Sequence, residues 1–307
     1  MTFRQQTRYH YIGLALASLA YLLMAFMAPI SDSTNPYHLS LLTIRLLQLT
    51  ILIPIIGVWF VALWGSLQFK RYALNIIGSP DGRALFSVAD GLLWLVWGII
   101  ITSLVQTARP WVHPEHILKW VFVNNHVGIV FSLIAFLLIF VGSRQLVQMI
   151  GWRGYRSAVW GSMALVAVMG SLYAWLISQN PYRHTAIGPD NNPSYASSDW
   201  AIIVGIILPY VAIWFMGFVS AASLWLYQTY AEGILYRRAL RRLSVGMLGI
   251  IISSIFIQLL VAMSPSLRHL GLTAVLVLVY ILVGVYAIGH VFVASGARRL
   301  TSIEEAV

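Results

Sequence analysis

Near-continuous apolar stretches separated by short polar intervals run at about 11–30, 40–67, 85–106, 120–143, 157–178, 200–227, 243–263 and 270–296. Each approaches or exceeds the ~20 residues an α-helix needs to cross about 30 Å of hydrocarbon. Membrane strands would show alternating segments of ~10 residues, so the pattern predicts an all-α integral membrane protein with eight transmembrane helices. The first run follows Arg4 and Arg8 as a signal peptide would, but no small-x-small cleavage site follows Phe26 or Met27. It is expected to stay as a helix.

The runs are also duplicated. Pro54, Trp59, Phe60, Tyr72, Gly78, Arg83, Ala84, Leu85 and Gly91 recur 155 residues later as Pro209, Trp214, Phe215, Tyr227, Gly233, Arg238, Ala239, Leu240 and Gly246. Gly142, Arg144 and Leu146 recur at an offset of 154 as Gly296, Arg298 and Leu300. A repeat of this length decides architecture before any single residue does. The expected organisation is two tandem four-helix repeats, 1–152 and 153–307, with Ser18-Leu19 answering Ser171-Leu172 in the opening helices.

Charge orients the spans. With the N-terminus inside, one side of the bundle takes Arg4, Arg8, Lys70, Arg71, Arg83, Arg144, Arg153, Arg156, Arg237, Arg238, Arg241, Arg242, Arg298 and Arg299, and the other takes Arg45, Arg109, Lys119, Arg183 and Arg268. Fourteen against five places both termini in the cytoplasm by the positive-inside rule. An even number of spans per repeat then makes the two halves parallel, unlike an inverted-repeat transporter. The net charge of +10 would suggest nucleic acid in a soluble protein; distributed in this way it marks topology in a plasma or inner membrane, and no nucleic-acid partner is expected.

Composition removes several chemistries. The chain is 60% apolar and 9% charged, where a soluble domain carries about a quarter charged residues. It contains no cysteine, which excludes disulfides, thiolate catalysis and thiolate-held clusters. No lysine lies within a span to carry a retinal-type Schiff base, and no catalytic grouping, phosphate-binding glycine loop or ligand-spaced metal cluster is visible. The chain is expected not to be an enzyme and to hold no cofactor or metal.

The candidate sites are few. Pro54 and Pro209 lie mid-helix, where proline frees a carbonyl and kinks the helix; paired kinks would frame a cleft between the repeats. Asp90 is the carboxylate well inside a span, a functional hypothesis by default. At helical spacing it shares a face with Trp94 and Trp97, a pairing suited to a lipophilic cation, whereas Lys70, Arg71 or Arg83 would simply neutralise it. Arg237, Arg238, Arg241 and Arg242 are candidates for anionic lipid headgroups, each worth ~1 kcal/mol near such a surface, or for topology alone. Arg45 is expected to snorkel to the outer interface. His126 and His290, near opposite membrane faces, are expected to be hydrogen-bonding histidines and not haem ligands.

Trp111, Trp120, Trp152, Trp160 and Trp200 suit an interfacial belt, while Trp59, Trp94, Trp97 and Trp214 lie deeper, where they would pack helices or line a pocket for an apolar ligand, quinone or lipid. Gly13, Ala15, Ala17 and Ala20, and Gly161, Ala164, Ala167 and Gly170, would permit close helix approach. The segment Gly78 to Gly82 reads as a tight turn, its counterpart YAEGILYRRALRRLS as helical, and 179–199 as an irregular outer loop.

Two function classes remain. One is a non-catalytic membrane subunit or scaffold that packs against lipids and against partner proteins or a second copy. The other is a transporter or channel-like protein for a small or lipophilic, cationic solute, with Asp90 as its ionisable group.

Overall fold

The structure is a computed structural model that describes residues 2–28, 40–112, 117–179, 199–267 and 272–304. The candidate loop 179–199 falls almost wholly outside these residues, as do the connection 31–39 and the side chains of Lys119 and Trp120.

Helices occupy nearly everything described. They are α1 (Phe3–Met27), α2 (Leu41–Asn75), α3 (Pro80–Thr107), α4 (Ile117–Met149) and α5 (Tyr155–Gln179), then α6, α7 (Ile234–Leu267) and α8 (Leu272–Glu304). Helix α6 is composite: Asp199–Ile202, a π-helical turn Ile203–Ile207, and Leu208–Tyr230. Eight helices are long and apolar enough to span a bilayer, the build of a multi-pass membrane protein.

Helix starts follow their sequence chemistry. Thr2 and Gln5 form a reciprocal capping box on α1. Ser79 caps α3 ahead of Pro80 in the first turn, so the expected tight turn is partly the beginning of a helix. At the corresponding place before α7, the chain turns at Gly233 with φ +83°, and the arginine-rich segment after it is helical.

Several helices run beyond the predicted spans at this end: α2 continues from 67 to Asn75, and α7 begins at Ile234 instead of 243. Hydropathy stops where charges begin. The backbone does not, because each added residue closes its own hydrogen bond.

Packing recurs in pairs. The tightest neighbours are α3 with α4 and α7 with α8; α2 packs on α3, and α6 on α7. The cycle closes through α2 against α8 and α4 against α6, giving the ring α2–α3–α4–α6–α7–α8. Helix α1 rests outside on α2 and α3, and α5 on α6 and α7.

The tight pairs depend on the absence of side chains. A Cβ on Gly91 would stand 2.6 Å from the Ala135 carbonyl oxygen, and one on Gly246 would stand 2.7 Å from that of Gly289. Gly142 meets the Ala84 carbonyl and Gly296 the Ala239 carbonyl in the same manner. On the α2–α8 seam, a Cβ on Gly65 would fall 2.7 Å from that of Ala294. Of the small residues expected to mediate approach, Gly13 lies against Trp97 and Gly170 against Val211, but Gly161 has nothing within 4 Å among the described residues.

Candidate functional site

Asp90 projects from α3 toward Lys70 on α2, with Nζ 2.5 Å from the carboxylate. Lys70 is on α2 because that helix runs on past its apolar stretch. Both side chains are largely shielded, at 17% exposure for Lys70 and 30% for Asp90, and the Lys70 ammonium also sits 5.1 Å from the centroid of Phe86.

The two indoles on this face turn to different neighbours. The Trp97 indole N–H donates to His10 Nδ1 on α1 at 3.0 Å. Trp94 is 42% exposed and tilts against Phe131 of α4, with centroids 5.5 Å apart. Asp90, Trp94 and Trp97 share a helix face as spacing implies, but Asp90 is held by α2, Trp97 by α1 and Trp94 by α4. The result is a polar clasp joining α1, α2 and α3: His10–Trp97 above, Lys70–Asp90 below. Sequence reasoning passed over His10, which stands just before the first apolar run and two turns into α1.

Pro54 sits within an unbroken α2, whereas Pro209 directly follows the π-helical turn of α6. Four residues before these prolines stand Thr50 and Gly205, whose carbonyls lose the N–H donor that proline lacks. Each of these turns is met by a polar side chain from the neighbouring helix of the other half. The Tyr280 hydroxyl on α8 donates to Thr50 Oγ1 at 2.6 Å, and His126 Nε2 on α4 lies 3.4 Å from where a Gly205 side chain would begin. A kinked or widened turn facing a polar neighbour is how a bilayer-embedded helix accommodates proline.

Trp59 and Trp214 are deeply buried, 2% and 0% exposed. Tyr21 packs on the first at 4.9 Å and Tyr173 on the second at 5.5 Å. Both indole N–H groups are buried with no partner among the described residues, as is His290 Nε2. His290 was expected to form hydrogen bonds; this nitrogen instead lies in an apolar setting, with the ring packed edge-on to Tyr286 at 4.6 Å.

Arg45 also departs from expectation. It does not snorkel outward but donates to the carbonyls of Ala25 at 2.7 Å and Ala28 at 3.0 Å, capping the C-terminus of α1. Orphan carbonyls and the negative end of the helix dipole draw the guanidinium inward.

Among the four clustered arginines, Arg237 donates to the Ala231 carbonyl at 2.7 Å, and Arg241 lies 5.3 Å from the Trp225 ring. At the same end, a cleft of about 670 Å³ is lined by Tyr72, Asn75, Ser79, Asp81 and Tyr236. There the Tyr227 hydroxyl donates to Asp81, bonding α6 to α3. Tyr72 and Tyr227 correspond at the 155-residue offset, as do Asp81 and Tyr236, so the carboxylate belongs to one half only.

These are contacts of a packed membrane bundle, with one shielded ion pair among the described residues and clefts at the basic end. No protein-family model, curated protein or solved structure matches the chain.

Proposed function

We propose that the chain is a non-catalytic membrane subunit or scaffold: two parallel four-helix repeats, 1–152 and 153–307, with both termini and the basic end at the cytoplasmic face of the cell membrane, packing against lipids and partner membrane proteins or a second copy of itself. The Lys70–Asp90 ion pair carries this reading. An acid serving as a solute or proton site needs an exchangeable charge, whereas Asp90 has a lysine already in place, and its flanking indoles serve as packing groups for α1 and α4.

The duplicated contacts support the repeat plan. Gly91 with Ala135 and Gly246 with Gly289 repeat one geometry at the offsets of 155 and 154, and α2–α8 mirrors α6–α4.

The test is uptake into proteoliposomes of full-length protein, using tetraphenylphosphonium as the lipophilic cation and a pH-sensitive dye for protons. The expected result is uptake equal to that of empty vesicles, unchanged by Asp90→Asn. Uptake abolished by Asp90→Asn would overturn the scaffold in favour of transport, with Asp90, Trp94 and Trp97 as the ligand-contacting group.

A further inference from the structure

At the basic end a wedge lies between the paired helices α3 and α4, and the second half repeats the pairing. In the first half, a cleft of about 520 Å³ between the start of α3 and the end of α4 is lined by Pro80, Arg83, Gln145, Gln148 and Met149. The α7–α8 pair, packed like α3–α4, carries Arg238, Arg299 and Ser302 at the positions of Arg83, Gln145 and Gln148. The arginine has therefore been kept in both copies, and the second copy has gained another.

The arginines around these wedges divide into two groups. Arg144 lies 5.3 Å from the Trp152 ring, Arg153 lies 5.9 Å from Tyr230, Arg241 is against Trp225, and Arg237 is spent on the Ala231 carbonyl. Arg83 and Arg238 are exposed like these four but have no side-chain partner among the described residues, where the one ion pair is Lys70–Asp90. A guanidinium beside two carboxamides offers several N–H donors and no negative charge. That donor set matches a phosphate group, which takes charge-assisted, often bidentate bonds from arginine.

We propose that the wedges at Arg83–Gln145–Gln148 and Arg238–Arg299–Ser302 each bind one phosphate group, with the second the tighter of the two. This rests on the basic end lying at a membrane face, and it holds for a scaffold or a transporter alike.

The experiment is native mass spectrometry of the full-length chain in detergent, titrated with phosphatidylglycerol, phosphatidylcholine or inorganic phosphate. Expected are up to two retained phosphatidylglycerols, with phosphatidylcholine retained far less. Arg83→Gln and Arg238→Gln should each weaken retention about fivefold, the equivalent of ~1 kcal/mol per arginine, while Arg83→Lys should keep most of it. Arg241→Gln, whose side chain is stacked away, should behave as wild type. If inorganic phosphate displaces the lipid, the natural source is a free anion; if it does not, the source is a headgroup. Equal retention of both lipids, or an Arg241→Gln loss matching that of Arg83→Gln, would overturn the proposal.

Discussion

Arg45 shows how a single charge is placed by the backbone it can satisfy. Its guanidinium links α2 to the end of α1 through two carbonyls and also donates to the Gln48 side-chain oxygen at 3.0 Å. Losing hydrogen bonds from a charged donor costs about 1.5–3 kcal/mol, so Arg45→Ala should lower the midpoint of a detergent thermal melt. Arg45→Lys should recover only part, because an ammonium cannot span two carbonyls as a planar fork does. The place of Arg45 near the end of its span was legible in the sequence, but its target was not, since that depends on where α1 stops. Asp90 behaves similarly. Three cations were plausible partners, and the choice of Lys70 over Arg71 follows from the rotation of α2 beyond residue 67, past the point where hydropathy has any signal.

Helix pairs α3–α4 and α7–α8 are brought together by small residues seven apart: Ala84 and Gly91 against Ala135 and Gly142, and Ala239 and Gly246 against Gly289 and Gly296. With no hydrophobic drive between helices inside lipid, such close approach supplies the van der Waals contact that holds them. Gly91→Val and Gly246→Val would drive a side chain into a carbonyl, with an overpacking cost on the order of 3 kcal/mol. Both variants should melt earlier in detergent by comparable amounts, while Gly161→Val, in open space, should melt as wild type. A result in which Gly161→Val is as damaging as Gly91→Val would contradict this account of the seam. The seven-residue spacing was present in the sequence but concealed by abundance: small residues are common in every span, and only the partner helix reveals which ones touch. Span number was readable because apolar segments are a property of composition; burial of individual tryptophans was not, since Trp59 and Trp214 are enclosed while Trp94, expected at like depth, is 42% exposed. Helix ends were not, because charged turns extend helices without any apolar mark.

For the whole molecule, six helices close a ring and two rest on its flanks. Polar contacts tie helices at both ends: Tyr227 of α6 reaches Asp81 of α3 across the ring at the basic end, and Tyr280 meets Thr50 on the α8–α2 seam at the other. The seams between are closed by residues such as Gly65 and Ala294, and Trp59 and Trp214 are buried in the interior. A subunit that serves by packing suits this arrangement, and the halves diverge both at the basic end, in Asp81 against Tyr236 and Gln145 against Arg299, and within the spans, where Asp90, Trp94 and Trp97 correspond to Val245, Gly249 and Ile252. The central claim is the parallel plan, with every basic connection on one side. Because the chain has no cysteine, single cysteines can be introduced directly and labelled in intact cells with a membrane-impermeant maleimide. Cysteines at Ser79, Gly151, Gly233 and Ser302 should be labelled only after the membrane is opened, and one at Ser197 should be labelled at once. Labelling of Ser79 and Gly233 variants from opposite sides would contradict the account.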